Sequence, residues 1–261
     1  MKKLLLPSLA PQNASHKLFL LAISLFCVSA AQAQVKCSIG PQVGYTLSTT
    51  HFTKYTNQFN ASYRSGIEIG VLASLRVRHF ALQPAIVYAQ KGYGLDFTIP
   101  GDFATEELRY TGTTRLDYLT FPLNLVYSQH ATGQGWQVFA GPYLSRLVGG
   151  RYSAKLSIDR GSTGINNPNP AMAGLTGKVA SESNYDPTTA NTIYSKRVDA
   201  GLQGGVGYQY QRCLLRATYS LGLRDVQYKK FVANVDFGEL NMPAYNRAFL
   251  FSFTYLFEPK S

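Results

Sequence analysis

Charge is scarce in this sequence. Asp, Glu, Lys and Arg make up only 15% of its 261 residues, well under the roughly quarter that a soluble globular domain carries. Long apolar runs are missing too. Beyond residue 34 no stretch approaches the roughly 20 residues of a spanning helix, which excludes a helical membrane domain there. Cysteine is limited to 3 residues. Cys37 and Cys213, the two beyond the N-terminal segment, stand far from each other and from any histidine at ligand spacing. That excludes a disulfide framework and a Cys/His metal site. Histidine is limited to 4 residues: His79 and His130 fall in expected turns, and His51 stands beside Thr49 and Thr50. No Gly-x-Ser-x-Gly elbow and no His-Glu-x-x-His pattern occurs. The sequence therefore predicts no catalytic residues, no cofactor and no metal.

What is abundant is Tyr (18), Phe (15) and Gly (23), an all-β composition. The N-terminus has its own logic. Lys2, Lys3 and Lys17 precede the apolar run Leu18 to Val28, and Ala31-Gln32-Ala33 puts small residues where a signal peptidase cuts. Residues 1–33 are expected to be a secretory signal peptide, leaving 34–261 as one domain. The full chain carries 25 basic and 14 acidic residues, net +11. Removing three lysines leaves 22 against 14, or +8. An exported protein with no basic run is not expected to meet nucleic acid; anionic lipid or lipopolysaccharide phosphate is the more natural partner.

The stretch Leu116 to Tyr127 shows the pattern that organises the chain. Leu119, Phe121, Leu123, Leu125 and Tyr127 alternate with Tyr118, Thr120, Pro122, Asn124 and Val126. Period two with one greasy face marks a strand between an apolar and a polar medium. Seven further segments repeat it: Cys37–Ser48, Gly66–Val77, Ala81–Lys91, Trp136–Ser145, Arg197–Tyr210, Cys213–Gly222 and Arg247–Phe257. Pro122 inside the pattern costs a ladder bond and predicts a bulge or local break.

The connections alternate. Those after the second, fourth and sixth segments are short. Those after the first, third, fifth and seventh are long: Thr49–Ser65, Gly92–Arg115, Arg146–Lys196 and Leu223–Asn246. An even number of strands with short turns at one rim and long loops at the other is the signature of an outer-membrane barrel. Tyr127, Trp136, Tyr208, Tyr210, Tyr255 and Phe257 gather at the short-turn rim, as an interfacial girdle would. The expected fold is all-β: an eight-stranded antiparallel up-and-down transmembrane β-barrel with short periplasmic turns and long outer loops. The longest loop, Arg146–Lys196, is polar, rich in Gly, Asn and Pro, and is read as unstructured.

Eight strands enclose a lumen that side chains can fill, and charges inside it must be paired. The expected interior charges are Glu68, Arg76, Lys91, Asp117, Asp199 and Arg216. Lys91 is expected between Glu68 and Asp117, in a cluster beneath the outer loops. Arg76 and Arg216 fall toward the short-turn end with partners the sequence does not supply. Structural plugging is the plain reading; a proton or ion path is the sharper one.

Several segments together resemble the PorT-type outer-membrane β-barrel family of Bacteroidetes. They are Leu116–Tyr127, Gly141-Pro-Tyr-Leu144, Gly201-Leu-Gln-Gly-Gly-Val-Gly-Tyr208, Tyr219-Ser-Leu-Gly-Leu223 and Phe251-Ser-Phe-Thr-Tyr-Leu-Phe257. The resemblance implies an eight-stranded barrel in the outer membrane, and for the family's namesake an association with type IX secretion and gliding. It brings no catalytic residues. One departure is the tail Glu258-Pro-Lys-Ser261 after the terminal aromatic.

Three functions follow as expectations. The first is a small non-enzymatic barrel with a structural, surface or secretion-accessory role, whose partners are outer-membrane lipid, lipopolysaccharide and envelope or secretion proteins. The second is a porin-like barrel that binds or passes a small ligand through its outer loops. The third is a soluble lipocalin-like carrier, which would turn the greasy faces inward.

Overall fold

The structure is a computed structural model that describes residues 35–53, 60–100, 106–160, 171–186, 189, 191–227 and 243–258. The expected signal peptide lies outside the described residues. Ten strands form one sheet: β1 (Lys36–Phe52), β2 (Asn60–Val77), β3 (Phe80–Pro100), β4 (Glu106–Ser128), β5 (Gly135–Arg160), β6 (Ala171–Ser181), β7 (Thr192–Ser195), β8 (Val198–Tyr210), β9 (Cys213–Gly222) and β10 (Ala244–Tyr255). Eight of them close a ring. β1 to β5 pair in sequence, β5 pairs with β8, β8 with β9, β9 with β10, and β10 returns to β1. All of these pairings are antiparallel. The closed ring leaves no open edge in the membrane-spanning part, which is what a sheet needs where no water can satisfy its backbone.

The eight expected segments are the eight ring strands. Two features differ from expectation. The segments read as the long connections Gly92–Arg115 and Arg146–Lys196 are largely strand: β3 runs on to Pro100, β4 begins at Glu106, and β5 continues to Arg160. Upper β5 then pairs with β6, and β6 runs parallel to β7. A wall of strands therefore stands above one side of the ring. The overhang of β4 from Leu116 to Glu106 rises about 26 Å at ordinary strand rise and barrel tilt. One face of this wall is apolar, with Leu95 and Phe97 on β3, Tyr110 on β4 and Tyr152, Ala154 and Leu156 on β5. Gly112 and Thr114 interrupt the stripe on β4 and the opposite face carries charges and hydroxyls, so the segments read as loops.

Of the two expected alternatives at Pro122, the structure has the local break and not the bulge. Pairing with β3 skips from Pro84↔Leu123 to Val87↔Thr120 without a change of register, and Pro122 keeps Tyr143 as its partner on the other side. The missing amide interrupts the ladder locally and nothing more. The register shift in β4 lies at Asp117/Tyr118, where the β5 partner jumps from Gly149 to Leu147 and Val148 is left extra.

At the opposite rim the turns are tight. Val77 reaches Phe80 through Arg78 and His79, and Tyr210 reaches Cys213 through Gln211 and Arg212. Arg78 (φ 53°) and Gln211 (φ 51°) sit in the left-handed region at the first turn position, which two-residue hairpins demand of whatever residue stands there.

The faces divide cleanly. Ile67, Ile69, Val71, Leu82, Ile86, Phe121, Leu123, Leu125, Val138, Leu144, Leu202, Leu215, Phe251 and others stand exposed around the outside of the ring. Thr46, Ser74, Gln83, Asn124, Gln137, Ser145, Asp199, Ser252 and Thr254 are buried inside it. A soluble carrier would have these faces reversed. The outward apolar runs from Leu119 to Tyr127 on β4 and from Trp136 to Leu144 on β5 each rise about 21 Å, close to the roughly 25 Å apolar band of a barrel in an outer membrane. The exposed Arg146 opposite Leu119 marks its upper edge. At the short-turn rim Trp136 packs edge-on to Tyr208 (5.2 Å), Phe80 to Tyr127 (5.4 Å) and Tyr255 to Phe257 (5.0 Å). At the other rim Phe249 touches Tyr219 and Tyr63. Aromatic rings at both edges of the band are the girdles that sit at headgroup level.

Candidate functional site: the polar lumen and the basic wall

Inward positions come from alternate residues of every ring strand, so the contents of the lumen follow from parity. Glycine on the inner face lets neighbouring backbones approach where a wider residue would not fit: a Cβ on Gly141 would strike the Leu123 carbonyl, and one on Gly201 the Leu221 carbonyl. The lumen is accordingly narrow, and side chains from strands that are not neighbours meet across it.

Five of the six expected interior charges are there. Glu68, Arg76, Lys91, Asp199 and Arg216 are all buried. Asp117 is not in the lumen. It shares the outward parity of Leu119 and Phe121 on β4 and pairs with Arg115 two residues away, Nε to Oδ1 at 3.1 Å. Asp117 is also buried, at the point where the β4–β5 bulge lies. The expected Glu68–Lys91–Asp117 cluster is therefore corrected. Lys91 is held by Asp199 of β8, three strands round the ring, with Nζ 3.4 Å from Oδ2. The ammonium lies over the Tyr143 ring at 4.5 Å and the Tyr118 ring at 5.5 Å. Asp199 also accepts from Asn246 Nδ2 at 3.0 Å, with the Tyr143 hydroxyl at 3.4 Å from both carboxylate oxygens. A charge pair without water needs such additional partners to hold both ions.

Below this knot lies a second one. The Gln42 amide donates to Glu68 Oε1, and Arg216 Nη2 donates to Gln42 Oε1 at 2.6 Å. Arg216 Nη1 reaches Gln83 Oε1 at 3.3 Å, and its guanidinium stands 5.3 Å from the Phe139 ring. Gln42 thus joins the Glu68 carboxylate to the Arg216 guanidinium. Nearer the short turns Arg76 Nη1 donates to Ser128 Oγ at 2.6 Å, and Gln137 Nε2 to Gln209 Oε1 at 2.9 Å and Gly133 O at 2.8 Å. Between the two charge knots the remaining cavity is about 20 Å³, room for about one water. The lumen is filled by its own side chains.

Sequence reasoning missed the amide and phenol members of this network: Gln42, Gln83, Tyr118, Tyr143 and Asn246. For Gln42, Gln83, Tyr118 and Tyr143 the signal was parity, since each alternates with an apolar outward residue, whereas Asn246 fell in the expected loop Leu223–Asn246. Their pairing across the ring was not legible without the registers.

The wall has a different chemistry. In register across β4, β5 and β6 stand Arg115, Arg151 and Lys178, and Arg64 of β2 joins them around one open cleft. Higher up, Arg109 grips Asp96 of β3 with Nη2–Oδ2 at 2.8 Å, and this exposed pair holds the Asp96 carboxyl below its ordinary range. Across the mouth Lys196 pairs with Asp225. Burial pushes the Asp225 carboxyl up, but the Ala244 and Gln227 amides and the Lys196 ammonium together pull it below its ordinary value. His79 Nδ1 lies 3.0 Å from Ser128 O and its ring stacks on Tyr127 at the short-turn rim. Among the described residues no group of His, Cys, Asp and Glu could hold a metal. Cys37 and Cys213 are free thiols.

A family model described as outer membrane protein beta-barrel domain matches residues 31–228. No curated protein matches the chain. Among solved structures, the attachment invasion locus protein Ail of Yersinia pestis is similar at 10% identity and TM-score 0.37, over 85% of this chain and 99% of Ail. Neisserial surface protein A is similar at 11% identity and TM-score 0.37, over 84% of this chain and 97% of that one. Both likenesses are too distant to carry a role across.

Proposed function

The chain belongs to the outer membrane protein beta-barrel domain family and lies in the outer membrane, and on that premise we propose that it is a non-conducting, non-enzymatic barrel that works through its wall rather than its lumen. The observation that carries this reading is the knot of Lys91, Asp199, Tyr143 and Asn246 across the lumen, with a cavity of only about 20 Å³ between it and the Glu68–Gln42–Arg216 knot. A path for solutes needs water-lined width, and eight strands filled by side chains offer none. The wall of β3 to β6 is the part that reaches past the membrane, and rigid extended strands present a surface more precisely than loops do. Its role in this reading is to meet the surrounding lipid headgroups and neighbouring envelope proteins. The motifs in Leu116–Tyr127 and Gly201–Tyr208 favour a PorT-type place within the family, and with it an accessory role beside secretion proteins, which would reach this barrel at the wall.

The test is topological. In a background with Cys37 and Cys213 changed to serine, Lys155→Cys on the wall and Arg78→Cys in a short turn are treated on intact cells with a membrane-impermeant maleimide. Labelling of the wall cysteine alone, with both labelled after lysis, is expected. Labelling of Arg78→Cys alone on intact cells would put the wall in the periplasm and end this reading.

A further inference from the structure

The cleft on the wall is built for an anion it does not supply itself. Arg115, Arg151 and Lys178 are lateral partners on three successive strands, so their side chains leave one face about 5 Å apart from strand to strand. Arg64 closes the fourth side of a cleft of about 530 Å³. Like charges side by side on a sheet destabilise it. The acid near them is Asp117, and Arg115 already holds it with two nitrogens, Nε to Oδ1 and Nη2 to Oδ2, each at 3.1 Å. Arg151 and Lys178 have no acidic partner among the described residues. The next row outward on the same face is Thr113, Ser153 and Thr176, hydroxyls that can donate to phosphate or sugar oxygens.

Height selects the ligand. Arg115 stands four residues beyond Leu119, the last apolar outward residue of β4, and Arg151 is its lateral partner on β5, above the exposed Arg146 that lies opposite Leu119. The cleft therefore opens about 10 Å past the edge of the apolar band, at the level where lipid headgroups lie. The geometry points to a binding site for the phosphorylated headgroup of a glycolipid in the leaflet around the barrel, taken by Arg151, Lys178 and Arg64, with Arg115 steadied by Asp117. Guanidinium forks match phosphate oxygens two at a time. The site deepens the wall reading above, but its test is run on purified protein in detergent, so it can fail while the topology stands.

Binding of a bis-phosphorylated lipid A, the same lipid stripped of phosphate, and inorganic phosphate is measured on the full mature barrel by native mass spectrometry. The variants are wild type, R151Q/K178Q and the control K155Q, which lies on the wall outside the cleft. Heat-modifiable gel migration first confirms that each is folded. The expected result is preferential binding of the phosphorylated lipid, weakened about tenfold in R151Q/K178Q and unchanged in K155Q. Equal binding of the dephosphorylated lipid, or equal binding by R151Q/K178Q, would overturn the site. Displacement of the lipid by millimolar inorganic phosphate, or tighter binding of a soluble sulfated oligosaccharide than of the lipid, would overturn the headgroup as its ligand.

Discussion

Lys91 Nζ lies 3.4 Å from Asp199 Oδ2 with the Tyr143 ring 4.5 Å beneath it. The two residues come from β3 and β8, which are not neighbours in the ring, so this pair ties opposite sides of the barrel together. Removing one partner strands a buried charge, and that costs about 3–5 kcal/mol. Asp199→Ala is therefore expected to destabilise the folded barrel by about that amount in urea unfolding from defined bilayers. The double variant Lys91→Met/Asp199→Ala should recover most of the loss, because the two effects are strongly non-additive. Additive losses would show that the pair is incidental.

The apolar band predicts a depth dependence. Leu123 stands at the middle of the outward run of β4, and Thr111 on the same outward parity well above it. Leu123→Arg should cost about 2–4 kcal/mol in a bilayer, while Thr111→Arg should cost close to nothing. Equal costs at the two sites would place the membrane elsewhere on the barrel.

The lumen has no room for larger inner residues. A Cβ on Gly141 meets the Leu123 carbonyl and the Asn124 backbone, which cannot rotate away as a side-chain tip could. Gly141→Ala is expected to destabilise by about 1–3 kcal/mol and to slow folding into lipid vesicles, followed by gel shift. Gly149→Ala, where a Cβ meets nothing within contact distance, is the matched control with little effect.

Acid should loosen the mouth. Asp225 accepts from the Ala244 and Gln227 amides and from Lys196, and its carboxyl is held below its ordinary value. A depressed carboxyl contributes stability that is complete above the unfolded value near about 4 and is lost as pH falls through the lower folded value. Hydrogen exchange at the Ala244 and Gln227 amides is therefore expected to be pH-independent, after correction for intrinsic rates, above about pH 4. Protection should fall below that. Asp225→Asn should abolish the step.

Most of the ring was legible in the sequence, since strands such as Leu116–Tyr127 and Trp136–Ser145 lie between lipid and a polar interior, and that contrast writes itself as period two. The wall was not. At Gly92–Pro100, Glu106–Arg115 and Arg146–Arg160 one face does alternate, through Leu95, Phe97, Tyr110, Tyr152, Ala154 and Leu156. Glycine and threonine break the stripe and the other face is charged, so a strand there reads like a loop. Parity was enough to place Glu68, Arg76, Lys91, Asp199 and Arg216 inside. The same parity puts Asp117 outside with Leu119, and its charge alone had suggested otherwise. The partner of Lys91 depends on which strands face each other across the closed ring, a quantity that no single strand encodes.

The most direct test of the closed lumen is a planar-bilayer recording of the purified, refolded barrel. The Lys91–Asp199 and Glu68–Gln42–Arg216 knots predict a silent membrane, with no stepwise conductance in wild type. Defined, reproducible conductance steps from the wild-type barrel would contradict the account.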